Sequence, residues 1–270
     1  MNTGGELDLS AYLARVGLSA LPEPTAAGLA ELHLAHATHI PFENLDVLLG
    51  RPIRLDPASL QKKLVHDRRG GYCFEQNALF ATVLEAVGFR VTRLAARVRY
   101  RASRLLARTH MLLAVDIDNE RWIADVGFGG SGLLVPIRLI PNAEQKQFRW
   151  SYRLIEESGA WVLQNKQDGW QDFYVFTLER QELVDYEVAN YYVSTHPDSA
   201  FTRTLAAQLP TPEARHILRN RELTIDRGTD TETRVVRDEE LLEVLANLFG
   251  LVMPPGTTFP DQPWKWGGGE

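Results

Sequence analysis

The sequence predicts an α+β fold with a helical bundle at the N-terminus, an antiparallel β-sheet or β-barrel in the centre and a small α/β lid at the C-terminus. The spacing of apolar residues supports this prediction. They recur every three or four positions up to residue 88, and then alternate with polar residues in short segments. Helical spacing returns near residue 238. We therefore place a helical domain at 1–88, a β-barrel domain at 89–200 and the lid at 201–270.

The N-terminal part carries the signals of four helices. Thr25 can serve as N-cap of the second helix, which Pro41 must end. Pro57 suits the first turn of the third helix, and Gly88 suits the end of the fourth. The predicted helices cover residues 9–16, 26–39, 57–65 and 73–87.

Strands are predicted from residue 89 onward, where short segments are rich in β-branched and aromatic residues. Asp118-Asn119 and Ser158-Gly159 have the composition of tight turns. The central strands are predicted at 89–100, 110–118, 121–128, 148–155, 161–164 and 173–177, before a helix at 180–192. Strand segments at 216–228 and 232–237 precede an amphipathic helix from Asp238 to Gly250.

The composition is that of an ordinary globular protein. The chain has 270 residues, of which 44% are hydrophobic, 24% charged and 9% aromatic, and this supports a sizeable core. A formal net charge of −6 disfavours general binding to nucleic acid or to an anionic membrane. No signal peptide and no long apolar segment is apparent. We expect a cytoplasmic protein that binds neither nucleic acid nor membrane and that could form a homo-oligomer.

The first candidate for chemistry is Cys73. As the single cysteine, it excludes an internal disulfide and a metal site built of thiolates alone, and it favours a reducing compartment. It follows Gly70 and Gly71 and opens a predicted helix. The helix dipole, the first-turn amides and the adjacent arginines should therefore favour the thiolate. The alternative is a small, inert cysteine in the core.

A nucleophilic cysteine needs an imidazole as partner and a group that orients the imidazole. His110 opens an apolar strand, and Asp125 lies near the end of the next strand, across the predicted turn at Asp118-Asn119. Counting from that turn places the two within about two residues of register. A carboxylate in an apolar strand also needs a partner, because burying it alone is costly. The alternative is a structural pair in the core.

The other histidines carry weaker signals. His33, His36 and His39 recur every third residue and fan over one side of a helix, without a nearby carboxylate or thiolate. We interpret them as a partly exposed face and predict no metal site. His66 lies in a charged stretch that is typical of a solvated helix end.

The glycine-rich stretch 127–132 matches the spacing G-x-G-x-x-G after a strand. The residues after this stretch are strand-like and include Pro136, so no helix N-terminus is available for a dinucleotide pyrophosphate. The turn could still bind a phosphate or carbonyl through its amides, or it could be a plain loop.

An arginine-rich stretch runs from Arg93 to Arg108. Alternation places Arg97, Arg99 and Arg101 on one face of a strand, where they could meet phosphates. We favour the alternative, an edge strand protected by solvated charge.

Four motifs together resemble the signature blocks of the arylamine N-acetyltransferases. They are PFEN (41–44), RGGYCFEQN (69–77), TH (109–110) and DVGFGG (125–130), in that order along the chain. The resemblance implies a core like that of cysteine proteases and transglutaminases, with Cys73 as acyl acceptor, His110 as base and Asp125 as its orienting group. It also implies acetyl coenzyme A as the acyl donor and a ping-pong reaction, with no metal.

The same resemblance implies two binding regions. Phe128, Gly129 and Gly130 would contact the pantetheine and phosphate end of coenzyme A, and Thr109 and Tyr72 would line its entrance. The acceptor, a small aromatic amine or hydrazine, would lie in a pocket formed by Phe42, Val98 and Phe201. The position of Phe201 is inferred from the local pattern S-x-x-P-x-S-x-F that starts at Ser194.

Three alternatives share much of this sequence pattern. A cysteine hydrolase or transglutaminase-like enzyme would use the same three residues with a different second substrate. An amide synthase would act on an acyl thioester bound to a carrier. A catalytically silent ligand-binding protein could keep the fold, although intact Cys73, His110 and Asp125 argue against it.

Overall fold

The computed structural model describes residues 7–260 and confirms the predicted α+β fold. The last stretch of the predicted lid, 261–270, lies outside the described residues. The helices are α1 (Leu9–Val16), α2 (Ala26–His39), α3 (Leu45–Leu48), α4 (Pro57–Leu60), α5 (Cys73–Val87), α6 (Leu183–Thr195) and α7 (Leu241–Phe249). The strands are β1 (Phe42–Glu43), β2 (Arg90–Val98), β3 (His110–Ile117), β4 (Glu120–Ala124), β5 (Ile137–Arg138), β6 (Gln145–Gln147), β7 (Trp150–Glu157), β8 (Ala160–Lys166), β9 (Trp170–Phe176), β10 (Ala206–Pro210), β11 (Arg215–Arg219), β12 (Glu222–Asp226) and β13 (Thr231–Val235).

The capping signals in the sequence mark the helix ends correctly. Thr25 Oγ1 accepts a hydrogen bond from the amide of Gly28 at 3.2 Å, and α2 begins at the next residue. Pro57 occupies the first turn of α4, which continues as one wider π-helical stretch to residue 66. Gly88 ends α5 in the left-handed conformation with φ 105°. These ends follow from local chemistry and need no tertiary contact.

Helix α5 runs through the main core and is buried on nearly every side. It packs against β3 and β2, whose inner faces are apolar. The first turns of α5 also bury three polar residues, Glu75, Gln76 and Asn77. Because a buried polar group must find partners within the protein, these three side chains link α5 to the segments around it.

The eight-stranded antiparallel sheet has the order β5-β4-β3-β2-β9-β8-β7-β6 and curls into a nearly closed barrel. Its β3–β4 hairpin turns at Asp118, as predicted, with φ 53°. The edge strands β5 and β6 meet through one side chain. Gln145 accepts from the amide of Arg138 and donates to the carbonyl of the same residue, both at 2.9 Å. In a closed barrel, backbone hydrogen bonds would join these two edge strands, and here the side-chain amide of Gln145 takes their place.

The second sheet has the order β1-β10-β11-β12-β13 and packs against α7. Its edge strand β1 comes from the N-terminal part of the chain and pairs Phe42 with Gln208. Asn44, which follows β1, donates to the carbonyls of Phe201 and Thr204 at 2.8 and 2.7 Å. The PFEN motif thereby joins the helical part to the C-terminal sheet.

The domain boundaries at 88 and 200 stay a prediction, and several contacts in the structure cross them. Strand β1 belongs to the C-terminal sheet, and α6 buries Tyr186 and Val193 in the main helical core. The short strands β1, β5, β6 and β10 were not predicted, because two to five residues carry too little periodicity. Among residues 7–260, no helix combines the length and apolarity needed to cross a bilayer.

The prediction that the arginine-rich strand is a sheet edge is wrong. Strand β2 lies inside the barrel sheet, between β3 and β9. The arginines of this stretch make contacts within the protein. Arg97 donates to the carbonyl of Leu106 at 2.8 Å, and Arg99 binds the carboxylates of Glu157 and Asp172. The arginine side chains therefore bind carbonyl and carboxylate groups of the protein, whereas the sequence suggested that they were solvated.

Candidate active site

The thiol of Cys73 lies at the first residue of α5, where the helix leaves the RGGY loop. The residue is only 3% exposed, and its Sγ is 3.6 Å from the carbonyl oxygen of Thr109. The helix N-terminus places free amide donors and positive potential next to the sulfur. This position suits a sulfur that must carry negative charge.

The imidazole of His110 and the carboxylate of Asp125 form a close buried pair. His110 Nε2 lies 2.7 Å from Asp125 Oδ2, so Nδ1 is the ring nitrogen left for Cys73. Burial disfavours a charged imidazole, but the Asp125 carboxylate and the Cys73 side chain outweigh burial and raise the pKa of His110. The structure thus pairs His110 with Asp125 and places Cys73 and His110 on the wall of the same cavity.

Asp125 is held as a carboxylate by several donors. Burial would raise its pKa, but His110, the Asn77 side chain and the amide of Gly127 together keep the pKa below its ordinary range. Asn77 Nδ2 lies 3.0 Å and Gly127 N 2.9 Å from Asp125 Oδ1. A Cβ on Gly127 would lie 2.8 Å from the Cα of Cys73, so only glycine lets this loop approach α5 so closely.

A cavity of about 330 Å³ opens beside the sulfur. Its wall contains Cys73 and His110, while Asp125 lies behind His110 and does not reach it. Of the residues expected to contact coenzyme A, Thr109 and Phe128 line the cavity. The Phe128 ring stands nearly perpendicular to the imidazole of His110, with centroids 5.3 Å apart.

The structure places Tyr72, Gly129 and Gly130 away from the cavity wall. The side chain of Tyr72 is fully buried and donates to Asn190 of α6, so it cannot line an entrance. The amide of Gly130 donates to Gln208 Oε1 at 2.6 Å, so this amide already has a partner. The two glycines give room to Gln208 and Ile217 of the C-terminal sheet, which a Cβ would strike. This arrangement therefore does not support a direct contact of Gly129 or Gly130 with a ligand.

The three residues expected to form the acceptor pocket all line the same cavity. Phe42, Val98 and Phe201 come from β1, β2 and the 3₁₀ turn after α6. The rings of Phe42 and Phe201 lie 6.0 Å apart, and Tyr72 packs edge-on against Phe201 from behind. The region is an apolar slot of the kind that an aromatic ring fills.

A buried network of charges fixes the loop before Cys73. Arg69 Nη2 lies 2.7 Å from Glu43 Oε1, and Lys63 Nζ lies 2.7 Å from Glu75 Oε1 and 2.9 Å from Asp46 Oδ2. Burial raises the pKa of Glu75 to about 7, even though Lys63 acts in the opposite direction. The expectation that the Arg69 charge supports a thiolate is wrong, because Glu43 and Asp46 neutralise the guanidinium.

The sequence suggested that the histidines of α2 form a partly exposed face, and this is wrong for two of the three, because only His39 is exposed. His33 and His36 are fully buried, and His36 lies between the Tyr12 hydroxyl and Gln76 Oε1 at 2.9 and 2.7 Å. Burial lowers the pKa of His33 to about 4 and of His36 to about 3. A spacing of three residues is compatible with exposed and with buried side chains. The two histidines are buried because other elements enclose α2, and the sequence does not reveal which elements cover a helix.

Comparison with known proteins agrees with this geometry. A family model described as N-acetyltransferase matches residues 25–257. An arylamine N-acetyltransferase of Mycolicibacterium smegmatis is 42% identical over 253 residues, which cover 91% of this chain and 92% of that protein. The chain belongs to the arylamine N-acetyltransferase family. The resemblance inferred from the four motifs is thereby confirmed.

Other members of the arylamine N-acetyltransferase family support the same assignment. A Salmonella typhimurium protein, an arylamine N-acetyltransferase / N-hydroxyarylamine O-acetyltransferase, is 46% identical over 200 residues, covering 73% of this chain and 71% of that protein. The Nocardia farcinica crystal structure superposes with a TM-score of 0.88 at 44% identity, covering 93% and 92% of the two chains. A Mycobacterium marinum arylamine N-acetyltransferase solved in complex with CoA superposes with a TM-score of 0.86 at 39% identity, covering 90% and 92%.

Several cavity residues of this family member were not predicted. Gln208 comes from the missed strand β10, and Arg104 and Arg219 lie around the cavity. The arginine-rich stretch was noticed in the sequence, but its distance from the cysteine could not be known. The alternation singled out Arg97, Arg99 and Arg101. Of these, Arg101 lines the cavity, whereas the structure places Arg97 and Arg99 in other contacts.

Proposed function

We propose that this protein transfers an acetyl group from acetyl coenzyme A, through a thioester on Cys73, to the nitrogen of an aromatic amine or hydrazine. The observation that supports this most is the buried pair of His110 and Asp125, with His110 and Cys73 on the wall of one cavity. Membership of the arylamine N-acetyltransferase family supports the choice of donor and acceptor. A free thiol nucleophile also suits the reducing cytoplasm.

In the first half-reaction, the Cys73 thiolate attacks the thioester carbonyl of acetyl coenzyme A. First-turn amides of α5 stabilise the oxyanion, because the first N–H groups of a helix have no carbonyl partner within it and carry partial positive charge. The intermediate collapses by breaking the bond to the coenzyme A sulfur, and the His110 imidazolium protonates that leaving thiolate. The products are acetyl-Cys73, neutral His110 and free coenzyme A.

In the second half-reaction, the amine nitrogen attacks the carbonyl of acetyl-Cys73. Neutral His110 accepts the surplus proton of the nitrogen, and the Cys73 thiolate leaves. The products are the amide and the original thiolate–imidazolium pair. Asp125 remains ionised throughout and holds the imidazole in the tautomer that presents Nδ1 to the sulfur.

The cavity walls suit both substrates. An aromatic amine is mostly uncharged at neutral pH, so it needs an apolar slot, which Phe42, Val98 and Phe201 supply. Thr109 and Phe128 lie next to the reacting imidazole, where the thioester end of the donor must pass.

The decisive test is the mass of the protein after incubation with acetyl coenzyme A and no acceptor. We expect the wild type to gain one acetyl group and Cys73→Ala to gain none. Addition of hydralazine or 4-aminosalicylate should remove the adduct and yield the acetylated acceptor. A wild type that never forms an adduct contradicts the proposal. Coenzyme A release that is no faster with acceptor than without it would favour the hydrolase alternative.

A second expectation concerns the donor. Arg101 and Arg104 line the cavity from the loop after β2, and their positive charges suit the phosphates of coenzyme A. We expect the double variant Arg101→Gln/Arg104→Gln to raise the KM for acetyl coenzyme A by about tenfold, the loss of one charge-assisted hydrogen bond. Acetylation by p-nitrophenyl acetate, which has no phosphate, should be unchanged.

Arg108→Gln is the matched control, because Arg108 lies on the same loop but outside this cavity and pairs with Glu179. Its KM for acetyl coenzyme A should equal that of the wild type. An equal rise for both donors in the double variant would show that the loop has been distorted and would reject the phosphate contact.

A further inference from the structure

We propose that His33 is a positioning residue for the reaction, which holds the backbone at Asp125 and thereby directs its carboxylate to His110. This role rests on the proposed function, in which Asp125 orients His110. The proposed function does not explain the histidine pattern of α2, and this role explains one of its histidines.

Two hydrogen bonds define the chemical state of the His33 ring. Nδ1 lies 3.0 Å from the carbonyl oxygen of Leu134, and Nε2 lies 3.1 Å from the amide nitrogen of Asp125. A carbonyl can only accept and an amide N–H can only donate. The ring must therefore carry its proton on Nδ1 and present a bare Nε2 to Asp125. Both neighbours require the same neutral tautomer.

The position of Asp125 in the sheet explains why such an acceptor is needed. The β3–β4 ladder ends with the pair Leu113 and Ala124, so the next residues of the chain have left the sheet. The amide of Asp125 then donates to His33, and the amide of Val126 donates to Asn77 Oδ1 at 3.2 Å. Side chains replace the lost strand partners at the point where the chain must turn the carboxylate toward His110.

The surroundings of His33 keep it rigid and neutral. The side chain is fully buried, and the edge of Phe80 packs on it with ring centroids 5.7 Å apart. The low pKa of His33 means that the ring stays uncharged at neutral pH. Protonation would place a second N–H against the Asp125 amide. His33 does not line the cavity, so it acts through Asp125 and not on a substrate.

The first test compares two substitutions. His33→Leu removes both hydrogen bonds, whereas the amide of His33→Gln can still accept from one partner and donate to the other. We expect His33→Leu to slow acetylation of Cys73 by at least tenfold, toward the hundredfold that a misplacement of about 1 Å can cost. The KM for acetyl coenzyme A should not change. His33→Gln should recover most of the rate.

The second readout is the titration of His110 followed by NMR of ¹⁵N-labelled histidine. If the carboxylate is misdirected in His33→Leu, the pKa of His110 must fall, because its main favourable partner has moved. His36→Leu is the matched control, since His36 is equally buried on the same helix and also packs against Phe80. It should lower stability in a similar way but leave the His110 titration unchanged.

A folded His33→Leu with wild-type acetylation and wild-type His110 titration would overturn the proposal. So would a fall in the His110 pKa of equal size in His36→Leu. The wild-type spectrum tests the proposal without any substitution, because a His33 ring with its proton on Nε2 contradicts it. These spectra do not depend on acetyl transfer. A protein that forms no acetyl adduct but shows the expected tautomer and His110 shift would therefore refute the proposed function alone.

Discussion

Asp125→Asn is expected to slow acetylation of Cys73 by roughly 10³- to 10⁴-fold, as in other triads whose aspartate becomes an amide. The carboxylate lies 2.7 Å from His110 Nε2 and is the main favourable cause of the raised His110 pKa. An amide keeps the shape but loses the charge. Only Cys73 then acts against burial, so the pKa of His110 must fall and the thiolate–imidazolium pair is weakened.

The measurement is single-turnover acetylation, combined with the His110 titration by NMR. Asp116→Asn is the matched control, because Asp116 lies in the same hairpin but pairs with Arg121 near the surface. Its acetylation rate should remain within about twofold of the wild type, because this surface ion pair contributes less than about 1 kcal/mol to stability and lies away from the cavity. A folded Asp125→Asn variant that acetylates at the wild-type rate would exclude the proposed role of this carboxylate.

Arg69→Met is expected to lower the free energy of unfolding by about 3–5 kcal/mol, the usual cost of removing one partner of a buried ion pair. Arg69 binds Glu43 and Asp46, and the Glu43 side chain is completely buried. Without the guanidinium, the Glu43 carboxylate must be protonated or reach water. Either change loosens the contact between the PFEN segment and the loop before Cys73.

Urea unfolding measures this effect, and Arg121→Met is its control. Arg121 makes a close ion pair with Asp116, but both side chains are about one third exposed, so its loss should cost about 1 kcal/mol or less. In the double variant Arg69→Met/Glu43→Gln, part of the lost stability should return, because no unpaired carboxylate remains. Equal losses of unfolding free energy for Arg69→Met and Arg121→Met would mean that the buried network stabilises the protein no more than a surface ion pair does.

Local signals predicted the elements that carry the reacting groups. Thr25 and Gly88 mark helix ends through hydrogen bonding and backbone conformation, and Asp118-Asn119 sets the hairpin that brings Asp125 toward His110. The turn fixes the register of the two strands, so proximity could be counted from sequence. The link to Cys73 came from the family resemblance, since residues so far apart share no local signal.

Predictions that depended on exposure were less reliable. The α2 histidines were expected to be partly exposed, and the β2 arginines were expected at a sheet edge. Whether a helix face or a strand is covered depends on elements elsewhere in the chain, in this protein β3, β9 and the loop at Leu134. The same limitation applies to Tyr72, which the family resemblance placed at the cavity entrance but whose ring packs into the core.

By itself, the amino-acid sequence determined the α+β fold, the helix that begins at Cys73 and the family to which the chain belongs. These follow from periodicity, capping and motifs, which act between residues close in the chain. Only the tertiary structure decided which side chains surround the thiol, how Glu43 neutralises Arg69 and why His33 is neutral. Those properties depend on burial and on hydrogen bonds between distant segments, because the ionisation of a buried group is set by the partners that folding brings to it.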